Sequence, residues 1–167
     1  DDSLLLHFQP EIDLRDDRIT AVEALVRWQH PTRGLLPPSE FVAIAEAVNL
    51  ATELGRWVLD DACRTYASWQ RELGDLDITL RVNVSPAQLV SFDFVDTLAH
   101  VLGDHGIEPG RLCIEITEVA IVQDVLLAAR AVRKVRELGV KVAMDDFGTG
   151  YSSLSHLETL PVDAVKI

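Results

Sequence analysis

Lys141-Val142-Ala143-Met144-Asp145-Asp146-Phe147-Gly148-Thr149-Gly150-Tyr151-Ser152-Ser153-Leu154 is the stretch on which the reading of this chain turns. It opens as a short apolar strand, ends in two adjacent carboxylates, and passes through a glycine-punctuated loop to a helix expected to start at Ser152 or Ser153. An Asp pair at a strand end makes a poor core. It makes a good holder for a divalent cation, because oxygen ligands suit magnesium, manganese or calcium and the strand fixes their placement. Gly148 and Gly150 let the backbone turn tightly or pass close to a ligand. Taken alone, the stretch also fits an ordinary capped strand-to-helix turn, so the rest of the chain has to decide.

On either side of it the pattern is regular. Upstream, strand Ile78–Val84 leads to a helix near residues 93–104. Strand Leu112–Thr117 leads to a helix over residues 124–138 with Val125, Ala128, Val132 and Val135 as its stripe, and Gly139 stops it. Downstream come a short helix near residues 153–160 and a last strand at 164–167. Strands alternating with helices imply a mainly parallel sheet with right-handed crossovers. The beginning of the chain differs. Leu4 to Leu14 and Ile19 to Trp28 read as the two strands of a hairpin. Pro31, Gly34, Pro37 and Pro38 mark a loop. Ser39 is placed to cap a helix striped by Phe41, Ile44, Ala45 and Val48. A longer helix over residues 54–73 carries Val58, Ala62, Tyr66, Trp69 and Leu73 on one side, with Gly74 to end it.

Side chains alternate across a strand, which divides each strand into two sets. Val22, Ala24, Val26 and Trp28 oppose Ala21, Glu23, Leu25 and Arg27. Ile78, Leu80, Val82 and Val84 oppose Thr79, Arg81 and Asn83. Leu112, Ile114 and Ile116 oppose Cys113, Glu115 and Thr117; Val140, Val142 and Met144 oppose Lys141, Ala143 and Asp145; Val165 and Ile167 oppose Lys166. One face is aliphatic throughout. The other collects a Glu, an Asn, a Glu, an Asp and a Lys. A sheet covered by helices on both faces would want both sets apolar, so a barrel with a polar mouth at the C-terminal strand ends fits better. Three converging carboxylates repel unless a cation or protons neutralise them. Arg27 shares the face of Glu23, and its guanidinium can clamp a phosphate.

Composition limits the alternatives. The 167 residues suit one domain, and 48% hydrophobic with 25% charged content is ordinary for a globular protein with a core. A net charge of −12 argues against a nucleic-acid duplex or an anionic membrane as main partner. No apolar run is long enough to cross a bilayer and no secretory leader is visible. Cys63 and Cys113 read as two buried free thiols, which suits a cytoplasmic location, in a soluble protein or the cytoplasmic part of a membrane-anchored one. The five histidines show no ligand spacing and are expected on helix surfaces or in loops. No Walker loop, Rossmann fingerprint or Gly-x-Ser-x-Gly elbow is present.

The ordered motifs resemble a known family. Glu23-Ala24-Leu25-Val26-Arg27-Trp28 is similar to the motif that names the EAL domain of bacterial cyclic di-GMP phosphodiesterases. Gln9-Pro10, the Trp28-x-His30-Pro31 loop, Asn83-Val84-Ser85, Glu115-Ile116-Thr117-Glu118, Asp145 to Gly150 and Lys166-Ile167 follow in the family's order. The resemblance implies an α/β fold class, a modified TIM (β/α)8 barrel whose first strand is antiparallel, here covering about six of the eight strands, with strands 7 and 8 beyond residue 167. It implies hydrolysis of cyclic di-GMP to linear pGpG by in-line attack of water on phosphorus with two Mg2+ or Mn2+ ions. Glu23, Asn83, Glu115 and Asp145 would ligate the first metal, and Asp145 would bridge to a second, held by Asp146. Lys166 would orient the attacking water, Glu118 would hold the Asp-Asp loop in shape, and Gln9, Leu25 and Arg27 would contact the ligand.

Two small departures are Glu11, where the family usually has an apolar residue, and Asn49, where Gly is common. The family's further strand-end Glu and a Gln near the last strand are expected beyond residue 167, so the chain is read as part of a longer protein, and alone as poorly folded and inactive. A cyclase-like or sensory domain is expected beside it, and a homodimer is expected through the helix around Tyr151 to Leu160. Two other readings stay open on the sequence: a receptor or regulatory module that binds cyclic di-GMP without cleaving it, and an unrelated metal-dependent barrel.

Overall fold

The computed structural model describes residues 3–74, 76–117, 125–146 and 160–166. The chain divides into two compact units, residues 1–82 and 83–167.

The first unit begins with the expected hairpin. Strand β1 (Leu4–Asp13) pairs antiparallel with β2 (Arg18–His30), in a register that sets Gln9 opposite Glu23, Glu11 opposite Ala21 and Leu5 opposite Arg27. Asp13 shapes the turn: its carbonyl accepts from the Asp17 N–H at 2.8 Å and its carboxylate from the Arg15 N–H at 2.9 Å. Asp17 takes φ 56°, a left-handed conformation that Asp tolerates. The Arg15 guanidinium, bonded to the same carboxylate, holds Asp13 below the usual carboxylate range.

After the hairpin, β3 (Gly34–Leu36) pairs antiparallel with the end of β2, where a loop was expected. Pro38–Glu40 then form a 3₁₀ turn, and helix α1 follows (Val42–Ala47). Ser39 lies inside that turn and makes no capping bond, because the two prolines already fix the backbone at the entry. Of the stripe expected to be core, Phe41 is buried against Trp28, with ring centroids 5.9 Å apart, whereas Ile44 and Val48 are exposed. Asn49 takes φ 60°, which accounts for glycine being common at this place: the chain leaves α1 in the left-handed region.

Helix α2 (Ala51–Leu73) starts three residues earlier than expected and ends at Gly74, whose φ of 86° is strained for other residues. It buries Val58, Leu59, Ala62, Cys63 and Tyr66, while Leu73 is exposed. Trp69 meets Phe8 edge-on, with centroids 4.7 Å apart, so the even-numbered side of β1 faces α2. Gln9 and its partner Glu23 therefore point to the other side. The Tyr66 hydroxyl donates to the Ile78 carbonyl at 2.8 Å and anchors the entry to β4 (Thr79–Asn83). β4 runs parallel to β2, with Ala21 beside Thr79 and Glu23 beside Arg81.

The second unit takes up the chain at Asn83. Ser85 caps the short helix α3 (Pro86–Leu89), its hydroxyl accepting from the Gln88 N–H at 3.2 Å. Helix α4 (Phe94–His105) stops at Gly106, φ 67°. A 3₁₀ turn at Pro109–Arg111 leads into β5 (Leu112–Thr117). Helix α5 (Val125–Glu137) buries Ala128, Ala129, Val132 and Val135, and β6 (Lys141–Asp145) and β7 (Ala164–Val165) follow. β5, β6 and β7 are mutually parallel. An antiparallel first strand followed by parallel strands and helices is the α/β class expected from the sequence. The Asp-Asp loop beyond Asp146, the helix proposed at its end and most of the Tyr151 to Leu160 dimer segment lie outside the described residues. Among those described, no helix is long and apolar enough to cross a membrane.

Candidate functional site

In the second unit three charged side chains come together through strand register. β5 and β6 pair so that Glu115 lies beside Ala143 and Thr117 beside Asp145. Glu115 is only 1% exposed, and its carboxylate accepts from Lys166 Nζ at 2.8 Å. Lys166 Nζ also stands 3.9 Å from an Asp145 oxygen. Glu115 and Asp145 each offer a carboxylate oxygen within 4.8 Å of the other's. Two carboxylates this close are costly without a cation. Lys166 supplies one positive charge, and hard oxygen donors of this kind fit a magnesium or manganese ion.

Lys166 is placed by the end of the chain. Asp163 makes a double link to β6: its N–H donates to the Val142 carbonyl at 2.7 Å, and its carboxylate accepts from the Val142 N–H at 2.9 Å. The same carboxylate pairs with Arg136 on α5 at 2.8 Å. Lys166 N–H then donates to Met144 O at 2.8 Å, so the backbone on both sides of β7 is tied to β6. Sequence reading passed over Asp163. Its signal was faint, a single Asp in a loop before a two-residue strand.

Asp145 and Asp146 close β6. Asp146 takes φ 54°, and its N–H donates to the Asp145 Oδ1 at 3.0 Å. A left-handed non-glycine residue costs energy that a functional turn can retain; here it turns the second carboxylate out of the strand's alternation. Asn83 is exposed at the end of β4, and the next residue's N–H, from Val84, donates to the Glu115 carbonyl at 2.8 Å. Glu118 lies outside the described residues.

The first unit holds the other expected residues on one face. Glu23 is half-buried, Gln9 stands opposite it and is exposed, and Leu25 and Arg27 continue the same side of β2. Arg27 Nη1 donates to the Val26 carbonyl at 2.9 Å, which holds the guanidinium close to its own strand. The same face carries an ion pair that sequence reading did not connect: Arg81 Nε meets Glu11 Oε2 at 2.9 Å. Of the histidines, His7 lies on β1, not in a helix or loop. His30 packs edge-on against Trp28 and accepts from the Thr32 N–H, and His100 on α4 faces Asp104.

Comparison with known proteins gives a consistent result. The family model described as EAL domain matches residues 1–167. The cyclic di-GMP phosphodiesterase PdeR of Escherichia coli is 41% identical over 99% of this chain and 25% of its own length. The bifunctional diguanylate cyclase/cyclic di-GMP phosphodiesterase MucR of Pseudomonas aeruginosa is 38% identical over 98% of this chain and 24% of its own. Among solved structures, the PaMucR phosphodiesterase in its c-di-GMP complex superposes with a TM-score of 0.92 at 38% identity. That match covers 99% of this chain and 66% of the other. The chain thus spans about a quarter of the length of the curated relatives it matches.

Proposed function

From its membership of the EAL domain family, we propose that this chain carries the metal-holding and part of the ligand-binding machinery of a cyclic di-GMP phosphodiesterase. The fold class is the one shared with the solved EAL domains, and relatives named as phosphodiesterases match it along nearly its whole length. The observation that carries the proposal is the buried Glu115 with Lys166 at 2.8 Å and an Asp145 oxygen within 4.8 Å. A purely structural role leaves a buried carboxylate beside a second one with no reason to be there.

The residue roles follow. Glu23, Asn83, Glu115 and Asp145 would hold one divalent cation, and Asp145 with Asp146 a second. When bound, such cations supply positive charge to the phosphate oxygens and make water more acidic. Lys166 would orient the attacking water and offset negative charge gathering on the phosphate; its contacts with Glu115 and Asp145 support that reading. Arg27 would bond phosphate oxygens, and Gln9 and Leu25 would line the ligand's flank. Glu118 would hold the Asp-Asp loop. A neighbouring cyclase-like domain, pairing of two copies through the segment around residues 151–160, and a cytoplasmic location belong to the same proposal.

The test follows cyclic di-GMP turnover to pGpG by the intact protein, with magnesium, with manganese and with chelator, beside Asp145→Asn. The expected result is metal-dependent cleavage that the substitution lowers by at least about a hundredfold, the scale at which losing one charged stabilising group acts. Tight binding with no cleavage in either metal would make it a receptor instead.

A further inference from the structure

Lys166 presents its ammonium from a short strand. β7 is two residues long, and Ala164 and Val165 are both exposed, so no buried side chain of its own fixes it. On β6, Ala143 lies beside Ala164 and Met144 beside Val165; on the other side of β6, Ala143 lies beside Glu115 of β5. Lys166 directly follows β7, and its Nζ reaches across β6 to the Glu115 carboxylate, two strands away, at 2.8 Å. A long, flexible side chain keeps such a contact only while its own backbone is held.

Asp163 does much of that holding. Its N–H donates to the Val142 carbonyl at 2.7 Å, and its Oδ2 accepts from the Val142 N–H at 2.9 Å. One residue thus engages both backbone groups of Val142, which needs an acceptor on the side chain. Arg136 on α5 grips the same carboxylate from outside, with Nη2 to Oδ1 at 2.8 Å and Nε to Oδ2 at 3.3 Å. That outer pair is 41% and 31% exposed, so it adds little. The bond to Val142 is part-buried, and losing it strands a backbone donor. We propose that Asp163 is a positioning residue for Lys166: by bonding the Val142 N–H, its carboxylate fixes the start of β7 on β6 and so sets the Lys166 ammonium against Glu115. The consequence for catalysis rests on the reading of Lys166 as the group that orients water; the placement itself does not.

The lysines of this chain allow a direct test. There are three, Lys134, Lys141 and Lys166, and the first two are exposed. The intact protein is reductively methylated in chelator, and each lysine's rate is read by peptide mass spectrometry, with Lys134 and Lys141 as internal references. In the parent, Lys166 reacts more slowly than both. Asp163→Ala raises Lys166 towards the rate of the references, which do not change. Asp163→Asn keeps an oxygen for the Val142 N–H and stays near the parent, as does Arg136→Met, which removes only the outer pair. Turnover of cyclic di-GMP follows the same order: kcat falls on the order of tenfold in Asp163→Ala and recovers in Asp163→Asn. Where Asp163→Ala does not fold by circular dichroism, Asp163→Glu replaces it with the same expectation, since its longer side chain displaces β7. The proposal is overturned if Lys166 stays as slow in the disrupting variant as in the parent, or is already as fast as the references in the parent. It is equally overturned if Arg136→Met releases Lys166 as fully as Asp163→Ala. A parent that cleaves nothing refutes the phosphodiesterase reading, while the labelling still decides whether Asp163 places Lys166.

Discussion

Replacing Lys166 by Met tests the site by its energetics. The ammonium sits 2.8 Å from a Glu115 carboxylate whose side chain is fully withdrawn from solvent, while the lysine side itself is 27% exposed. Removing one partner of a buried pair costs about 3–5 kcal/mol, because the remaining charge is left uncompensated. The partial exposure of Lys166 places the loss at the lower end, about 3 kcal/mol, or about 150-fold in the unfolding equilibrium. Methionine keeps most of the volume, so packing contributes little. A cation held as proposed would change the sum, since it would neutralise the same carboxylates and no longer meet a competing ammonium. If that tightens its binding about tenfold, the variant recovers about 1.4 kcal/mol, nearly half its deficit. Urea unfolding of the intact protein and of Lys166→Met, each in chelator and in saturating magnesium, measures all four values. The reasoning is refuted if the variant matches the parent in chelator, or if its deficit is the same with and without magnesium.

Three further outcomes are expected. Asp145→Asn lowers metal-dependent cyclic di-GMP turnover by at least about a hundredfold while leaving the secondary structure intact by circular dichroism. Asp163→Ala strips the Val142 N–H of its acceptor and Arg136 of its partner; it lowers stability by about 1–3 kcal/mol and speeds amide exchange at Val142, whereas Asp163→Asn retains most of both. Burial pushes the Cys63 thiol up to about 12 from 9.0. Folding therefore holds the proton on, so this group's contribution is complete below pH 9 and is lost as pH rises towards 12. Cys63 should resist iodoacetamide at pH 8 until denaturant is added; labelling at the rate of a free thiol would contradict this.

How far the sequence could be read depended on what kind of signal each part carried. The hairpin and the parallel strands were legible to within a residue or two, because alternation is local and one face of each strand is aliphatic. Leu80 and Val82 buried beside half-exposed Thr79 and Arg81 are that rule in practice. β3 was not legible: three residues in a proline-rich loop have no period, and only their pairing with Trp28, Gln29 and His30 at the end of β2 makes them a strand. The exposed Ile44 and Val48 mislead for a related reason, since a stripe states which residues could be buried and not whether anything covers them. At the site, Glu115 and Lys166 were visible as polar residues on an otherwise apolar strand, but their 2.8 Å contact depends on Asp163 tying β7 to β6. Glu11 shows the same limit most clearly. Read alone it was a small departure from a family pattern. Its meaning lies in Arg81, 70 positions away in sequence and one β2 strand away in space. A charge introduced on the inward face of such a sheet has to be answered by a charge on a neighbouring strand, and the answer here stands beside Glu23. Departures of this kind are therefore best read in pairs, with the strand register supplying the partner that the linear chain conceals.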